Sequence, residues 1–95
     1  TPGAAPEIGA LFDPNVPFQE MFARVARFTS YTPIQNALGL PGMSVPAGLT
    51  RKRLPVGSHF VASAGREDKL FALAYELEQA KPWWKPWAPV SASSL

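Results

Sequence analysis

Met43-Ser-Val-Pro-Ala-Gly-Leu-Thr-Arg-Lys-Arg-Leu-Pro-Val-Gly-Ser-His-Phe-Val-Ala62 is the stretch on which the fold turns. Met43 to Ala47 reads as a short strand. Pro46 has no N–H to give a ladder, which favours a strand end there. Gly48 to Leu54 reads as a basic loop with Arg51, Lys52 and Arg53 at its tip. Pro55 to Ala62 reads as a second strand. Two strands joined by so short a loop predict an antiparallel hairpin. The second strand is apolar on both faces, with Val56, Phe60 and Ala62 on one and His59 and Val61 on the other. A strand of this kind is normally covered on both sides.

Working outward, Arg66 to Ala80 is the clearest helix. Leu70, Phe71, Leu73, Ala74 and Leu77 make a broad apolar stripe. Glu67 and Asp68 stand in its first turn, where the dipole favours anions, and Pro82 stops it. On the other side, Val16 to about Tyr31 reads as a helix with Phe18, Met21, Phe22, Val25 and Phe28 on one face. Asn15 or Asp13 is the expected cap, with Pro17 in the first turn. Pro33, Gly39, Pro41 and Gly42 break the helix between Thr32 and Gly42. Residues 1–15 are an irregular Pro/Gly/Ala-rich lead-in, and residues 91–95 are expected to fray.

The resulting order is helix, hairpin, helix, with each helix free to cover one face of the strands. A two-stranded sheet is marginal alone, and its edges invite further pairing. The pattern therefore reads as a sub-assembly whose other strands come from a larger sheet. Composition agrees. Of 95 residues only 17% are charged, while 46% are hydrophobic and 11 are proline. A small free-standing domain normally carries more charge. The first residue is Thr rather than Met, which fits a segment of something longer.

Several function classes fall away. A net charge of +2 is too small to argue for nucleic acid or an anionic membrane. There is no cysteine, and the single histidine builds no His-rich metal site. No run reaches the length of a membrane span, and the N-terminus carries no secretory pattern, so the cytoplasm is the expected compartment. His59 is the sole candidate base, and a packed strand histidine is the expected outcome. The carboxylates Glu67/Asp68 and Glu76/Glu78 fall on solvated helix positions. The spacing of Gly39, Gly42 and Gly48 is no dinucleotide fingerprint. Arg51, Lys52 and Arg53 mark an exposed turn. Trp83, Trp84 and Trp87, between and beyond Lys81 and Lys85, are expected to pack on the end of the last helix rather than on a membrane.

Three stretches together resemble the amidase-signature family. They are Phe28-Thr-Ser-Tyr-Thr-Pro-Ile-Gln-Asn36 with Gly39-Leu-Pro-Gly-Met-Ser-Val-Pro46, then Leu54-Pro-Val-Gly57, then Gly65-Arg-Glu-Asp68 with Leu70 to Glu78 and Pro82-Trp83. The branch that includes 6-aminohexanoate-cyclic-dimer hydrolases is the most similar in tone. Gly42 stands where the family usually has Ala, and Arg53 where it has Gly.

The resemblance implies an α/β fold: a helix–β-hairpin–helix segment, residues 16–90, at the C-terminal end of a larger α/β/α sandwich with a mixed sheet. It implies hydrolysis of carboxamide C–N bonds through a Ser–Ser–Lys acyl-enzyme whose residues lie upstream, so no residue of this chain is carried over as catalytic. Phe28, Tyr31, Thr32 and Asn36 are the residues it places beside the acyl side of a substrate. No metal or cofactor is implied. The implied partners are the rest of the amidase chain and a small-molecule amide, with a homodimer as a further expectation. The alternative is a catalytically inert module that uses the same fold for interaction or oligomerisation.

Overall fold

A computed structural model describes residues 5–83, 88 and 90–92. The element order is α1 (Phe18–Phe28), α2 (Pro33–Leu38), β1 (Gly42–Leu49), β2 (Pro55–Val61) and α3 (Glu67–Ala80). The strands form the expected antiparallel hairpin, with Ser44 opposite His59 and Val45 opposite Ser58.

β1 is longer than expected. Pro46 does not end it, because the register shifts directly afterwards: Pro46 pairs with Gly57 and Gly48 with Val56, leaving Ala47 as the extra residue of a bulge. A proline is accommodated at a bulge because the ladder is already interrupted. The carbonyl of Ala47 is met from elsewhere, by Lys81 Nζ at 3.0 Å. Lys81 thus ties the C-terminal end of α3 to the hairpin. The loop closes through Thr50, whose N–H bonds Leu54 O at 2.9 Å and whose carbonyl accepts Arg53 N–H at 2.9 Å. Arg53 holds φ at 62°, a left-handed conformation that favours glycine.

Strand alternation puts Met43, Val45 and Phe60 on one face and Gly42, Ser44, His59 and Val61 on the other. α3 packs against β1, and Leu70 shares a cleft with Met43, which sets the helix on the first face. Val45 and Leu70, at 7% and 8% exposure, are the buried apolar residues among those described. On β2, residues 56–60 are half-buried, so the expected double cover is incomplete.

α1 departs from expectation in four ways. It begins at Phe18, after Pro17, whose extended ψ of 148° lies outside the helix. No side chain caps it. Asp13 instead accepts the Asn15 N–H at 2.9 Å in a turn ahead of the helix. It ends at Phe28, where Thr29 gives both its N–H and its hydroxyl to Val25 O at 2.9 Å. Above all, it buries no residue, so it does not cover a face of the hairpin. Phe18 and Phe22 are 71% and 64% exposed, their rings 6.1 Å apart.

α2 corrects the irregular reading of residues 32–42. Pro33 opens it, where a fixed φ and a missing N–H cost nothing, and Gly39 closes it at φ 65°. Proline just inside a start and glycine just past an end is the signal for this helix.

Of the expected aromatic tail, Trp83 is half-buried, while Trp84, Lys85 and Trp87 lie outside the described residues. The chain exposes 7821 Å². A compact chain of 10.3 kDa exposes about 5,400 Å² by area scaling. That excess fits a sub-assembly better than a self-contained core. Among the described residues, no helix is long and apolar enough to cross a membrane.

Candidate functional site

Phe28, Tyr31, Thr32 and Asn36 occupy the corner where α1 turns into α2. Phe28 is the last residue of α1 and is half-buried. Tyr31 and Thr32 lie in the connection and are exposed. Asn36 sits on α2, its N–H bonded to Thr32 O at 3.4 Å, and its side chain is exposed. Thr32 occupies the N-cap position of α2 but makes no side-chain cap bond. The four fall within the nine-residue strip of chain Phe28–Asn36 and together offer two aromatic rings, two hydroxyls and an amide. None of them lines either cavity described below.

One cavity is a notch of about 360 Å³ between Pro41, Gly42 and Met43 and the side chains of Glu67, Leu70 and Phe71. The other is a groove of about 720 Å³ between the bulged half of the hairpin and the end of α3. Pro46, Leu49, Pro55 and Trp83 are among its apolar walls, and Arg53 and Lys81 are its charged residues.

His59, the sole candidate base, stands directly across the hairpin from Ser44, yet its Nε2 is buried with no hydrogen-bond partner among the described residues. The ring lies over Gly42 instead. A Cβ at that position would come 3.1 Å from His59 Cε1 and 3.4 Å from Nε2. Gly42, having no Cβ, therefore makes room for this imidazole. A nucleophile needs its base in hydrogen-bond contact, so Ser44 and His59 do not form an activated pair in this arrangement. Among the described residues, no group of three His, Asp or Glu side chains is placed to hold a metal.

The one strongly directed ion pair among the described residues lies at the start of α3. Arg66 meets Asp68 through two bonds of 2.9 Å, Nε to Oδ1 and Nη2 to Oδ2. The guanidinium holds the Asp68 carboxyl below its ordinary range, and the carboxylate raises Arg66 in turn. Both side chains are exposed, so the pair organises a helix start rather than a reactive centre.

The family model described as Amidase matches residues 1–71. The chain belongs to the amidase-signature family. A protein from Mycobacterium tuberculosis (strain ATCC 25618 / H37Rv) named as an amidase, AmiC, is 38% identical over 86 residues, 90% of this chain and 18% of its own length. The AmiC of Mycobacterium leprae is 38% identical over 78 residues, 82% of this chain and 16% of its own length. A glutamyl-tRNA(Gln) amidotransferase subunit from Gloeothece citriformis is 47% identical over 55 residues, 58% of this chain and 11% of its own. The chain thus spans less than a fifth of the length of these curated relatives. No solved structure matches it.

Proposed function

We propose that this chain is the C-terminal segment of a hydrolase that cleaves carboxamide C–N bonds. The observation that carries this reading is the match to proteins named as amidases across nine-tenths of the chain. In the proposed mechanism a serine attacks the amide carbonyl, a second serine relays its proton to a lysine, and backbone N–H groups hold the oxyanion. That Ser–Ser–Lys set belongs to a part of the polypeptide outside residues 1–95. Two features support assigning it there: among the described residues His59 Nε2, opposite Ser44, makes no hydrogen bond, and few side chains are shielded from water.

The role proposed for this segment is to border the acyl side of the substrate. Phe28 and Tyr31 offer apolar surface, and Thr32 and Asn36 offer hydrogen-bonding groups. A cleft wall whose facing side is supplied by another segment would be open in this chain alone, as Tyr31, Thr32 and Asn36 are. The relatives are named as an amidase and as part of an amidotransferase, so the substrate is proposed only as a carboxamide.

Two measurements test the reading. The coding sequence ahead of Thr1 should continue in frame into a Gly/Ser-rich region with a serine and a lysine, and the complete product should release ammonia or an amine from simple carboxamides. A start codon immediately before Thr1 would sink it. Substituting Asn36 by Ala in the complete enzyme should raise KM severalfold. An unchanged KM would remove the strip from the substrate site.

The exposed Phe18, Phe22, Phe71 and Tyr75 also favour a second reading, a catalytically inert oligomerisation module. That reading requires a stable oligomer of the 95-residue chain in gel filtration.

A further inference from the structure

The groove between the hairpin bulge and the end of α3 is the larger of the two cavities, and it lies apart from the Phe28–Asn36 strip. Its volume of about 720 Å³ falls within the range of small-molecule sites. Its walls are Pro46, Leu49, Pro55 and Trp83, with Arg53 and Lys81 as charged groups and no carboxylate among the lining residues. Lys81 is fixed at one edge by its bond to Ala47 O, and an ammonium carries three donors, so two remain. Arg53 has no side-chain hydrogen bond or ion pair among the described residues.

Arg53 is also the one non-glycine residue with positive φ among those described. The turn gains nothing from an arginine side chain at such a position. Its bonds run through the Arg53 N–H and through Thr50. Glycine would serve the backbone with less strain. Strained residues persist where their side chains have another use, and this side chain lines the groove.

We propose that this groove binds a small carboxylate with an apolar or aromatic body. The carboxylate meets the Arg53 guanidinium and the free Lys81 donors, and the body lies against Trp83 and the prolines. A neutral amide of the same shape loses both charge contacts. Amide hydrolysis releases a carboxylate, so on the function proposed above, and only on it, the enzyme's own acid product is a ligand of this class.

The test uses the complete polypeptide and two probes, 4-phenylbutyrate and its neutral counterpart 4-phenylbutanamide, followed by calorimetry and tryptophan fluorescence. The acid should bind at least about tenfold more tightly than the amide, the scale of one charge-assisted contact, and its affinity should fall as salt rises. Arg53→Gly separates binding from folding because the two effects have opposite signs. It should raise the melting temperature by relieving the turn, yet weaken the acid about tenfold. Arg53→Lys should keep part of the affinity, and Lys81→Met should weaken the acid alone. Equal binding of acid and amide overturns the proposal. So does unchanged acid affinity in Arg53→Gly, or no binding of either probe. These outcomes do not depend on hydrolysis: an inactive enzyme that passes them leaves the site standing and removes only the product link.

Discussion

The hairpin with α3 and the arm formed by α1 and α2 are built from similarly apolar sequence, but they end in different states. In the first region Val45 and Leu70 are buried, a bulge carbonyl is met by Lys81, and a two-bond ion pair sets the start of α3. In the second, α1 carries five apolar residues on one face and buries none. The difference shows that an amphipathic pattern states a need for cover without supplying it. α3 finds its cover in the strand beside it. α1 finds only partial cover within the described chain, with Met21, Val25 and Phe28 half-buried, and its longest-range described hydrogen bond is Arg24 Nη1 to Ala10 O at 3.3 Å.

Four substitutions or conditions would break or sharpen that contrast. The largest effect is expected for Leu70→Ala in the 95-residue chain. Loss of a buried leucine side chain costs about 2 kcal/mol at the low end of core truncations. Amide protection in β1 and α3 should drop about thirtyfold by hydrogen exchange, while α1 amides stay as they are. Equal loss in α1 would mean the two regions are one cooperative unit.

Gly42→Ala comes next. Its Cβ would crowd His59, and mild overpacking costs about 1 kcal/mol. Protection in the hairpin should fall about fivefold, and the loss should vanish in a Gly42→Ala, His59→Ser double variant. A loss that persists would show that backbone, not the imidazole, is the obstacle.

A smaller effect is expected from acid. Asp68 is depressed mainly by its bond to Arg66. The pair's contribution is therefore fully present above the ordinary aspartate range and is lost as pH falls through the lowered value. First-turn amides of α3 should lose protection only on the acid side of that range, and Asp68→Asn should remove the step.

The smallest effect is the most telling. Phe22→Ala in this chain should change protection anywhere by less than about twofold, because a 64% exposed ring has little packing to lose. In a longer polypeptide holding the rest of the proposed enzyme, the same substitution should destabilise by about 3 kcal/mol if α1 is buried there. Equal and small effects in both would leave α1 a surface helix and weaken the sub-assembly reading.

Much of the hairpin and α3 is legible along the chain because those elements are local. A short loop between two apolar runs and a 3–4 spacing need no knowledge of neighbours. α2 escapes such a reading because Pro33 and Gly39 look like breakers, whereas Pro33 at a start and Gly39 at an end delimit a helix between them. The expected cap of α1 fails because the helix begins only at Phe18, with Pro17 in the cap position, while Asp13 accepts the Asn15 N–H in a turn ahead of it. Of the site, the strip Phe28, Tyr31, Thr32 and Asn36 comes from resemblance to a family. The groove is invisible in sequence because Arg53 and Lys81 are far apart along the chain and line one groove only once the hairpin and α3 are in place.

The sequence by itself determined that the chain holds an antiparallel hairpin between two helices and that it belongs with amidases. Periodicity, turn chemistry and motif order are properties of neighbours along the chain, so they survive without coordinates. Tertiary structure alone decided that Pro46 stays inside a strand, that His59 lies over Gly42 rather than bonding Ser44, and that Lys81 closes the bulge. Each of these depends on strand register, and a shift of one residue would turn the facing side chains to opposite faces.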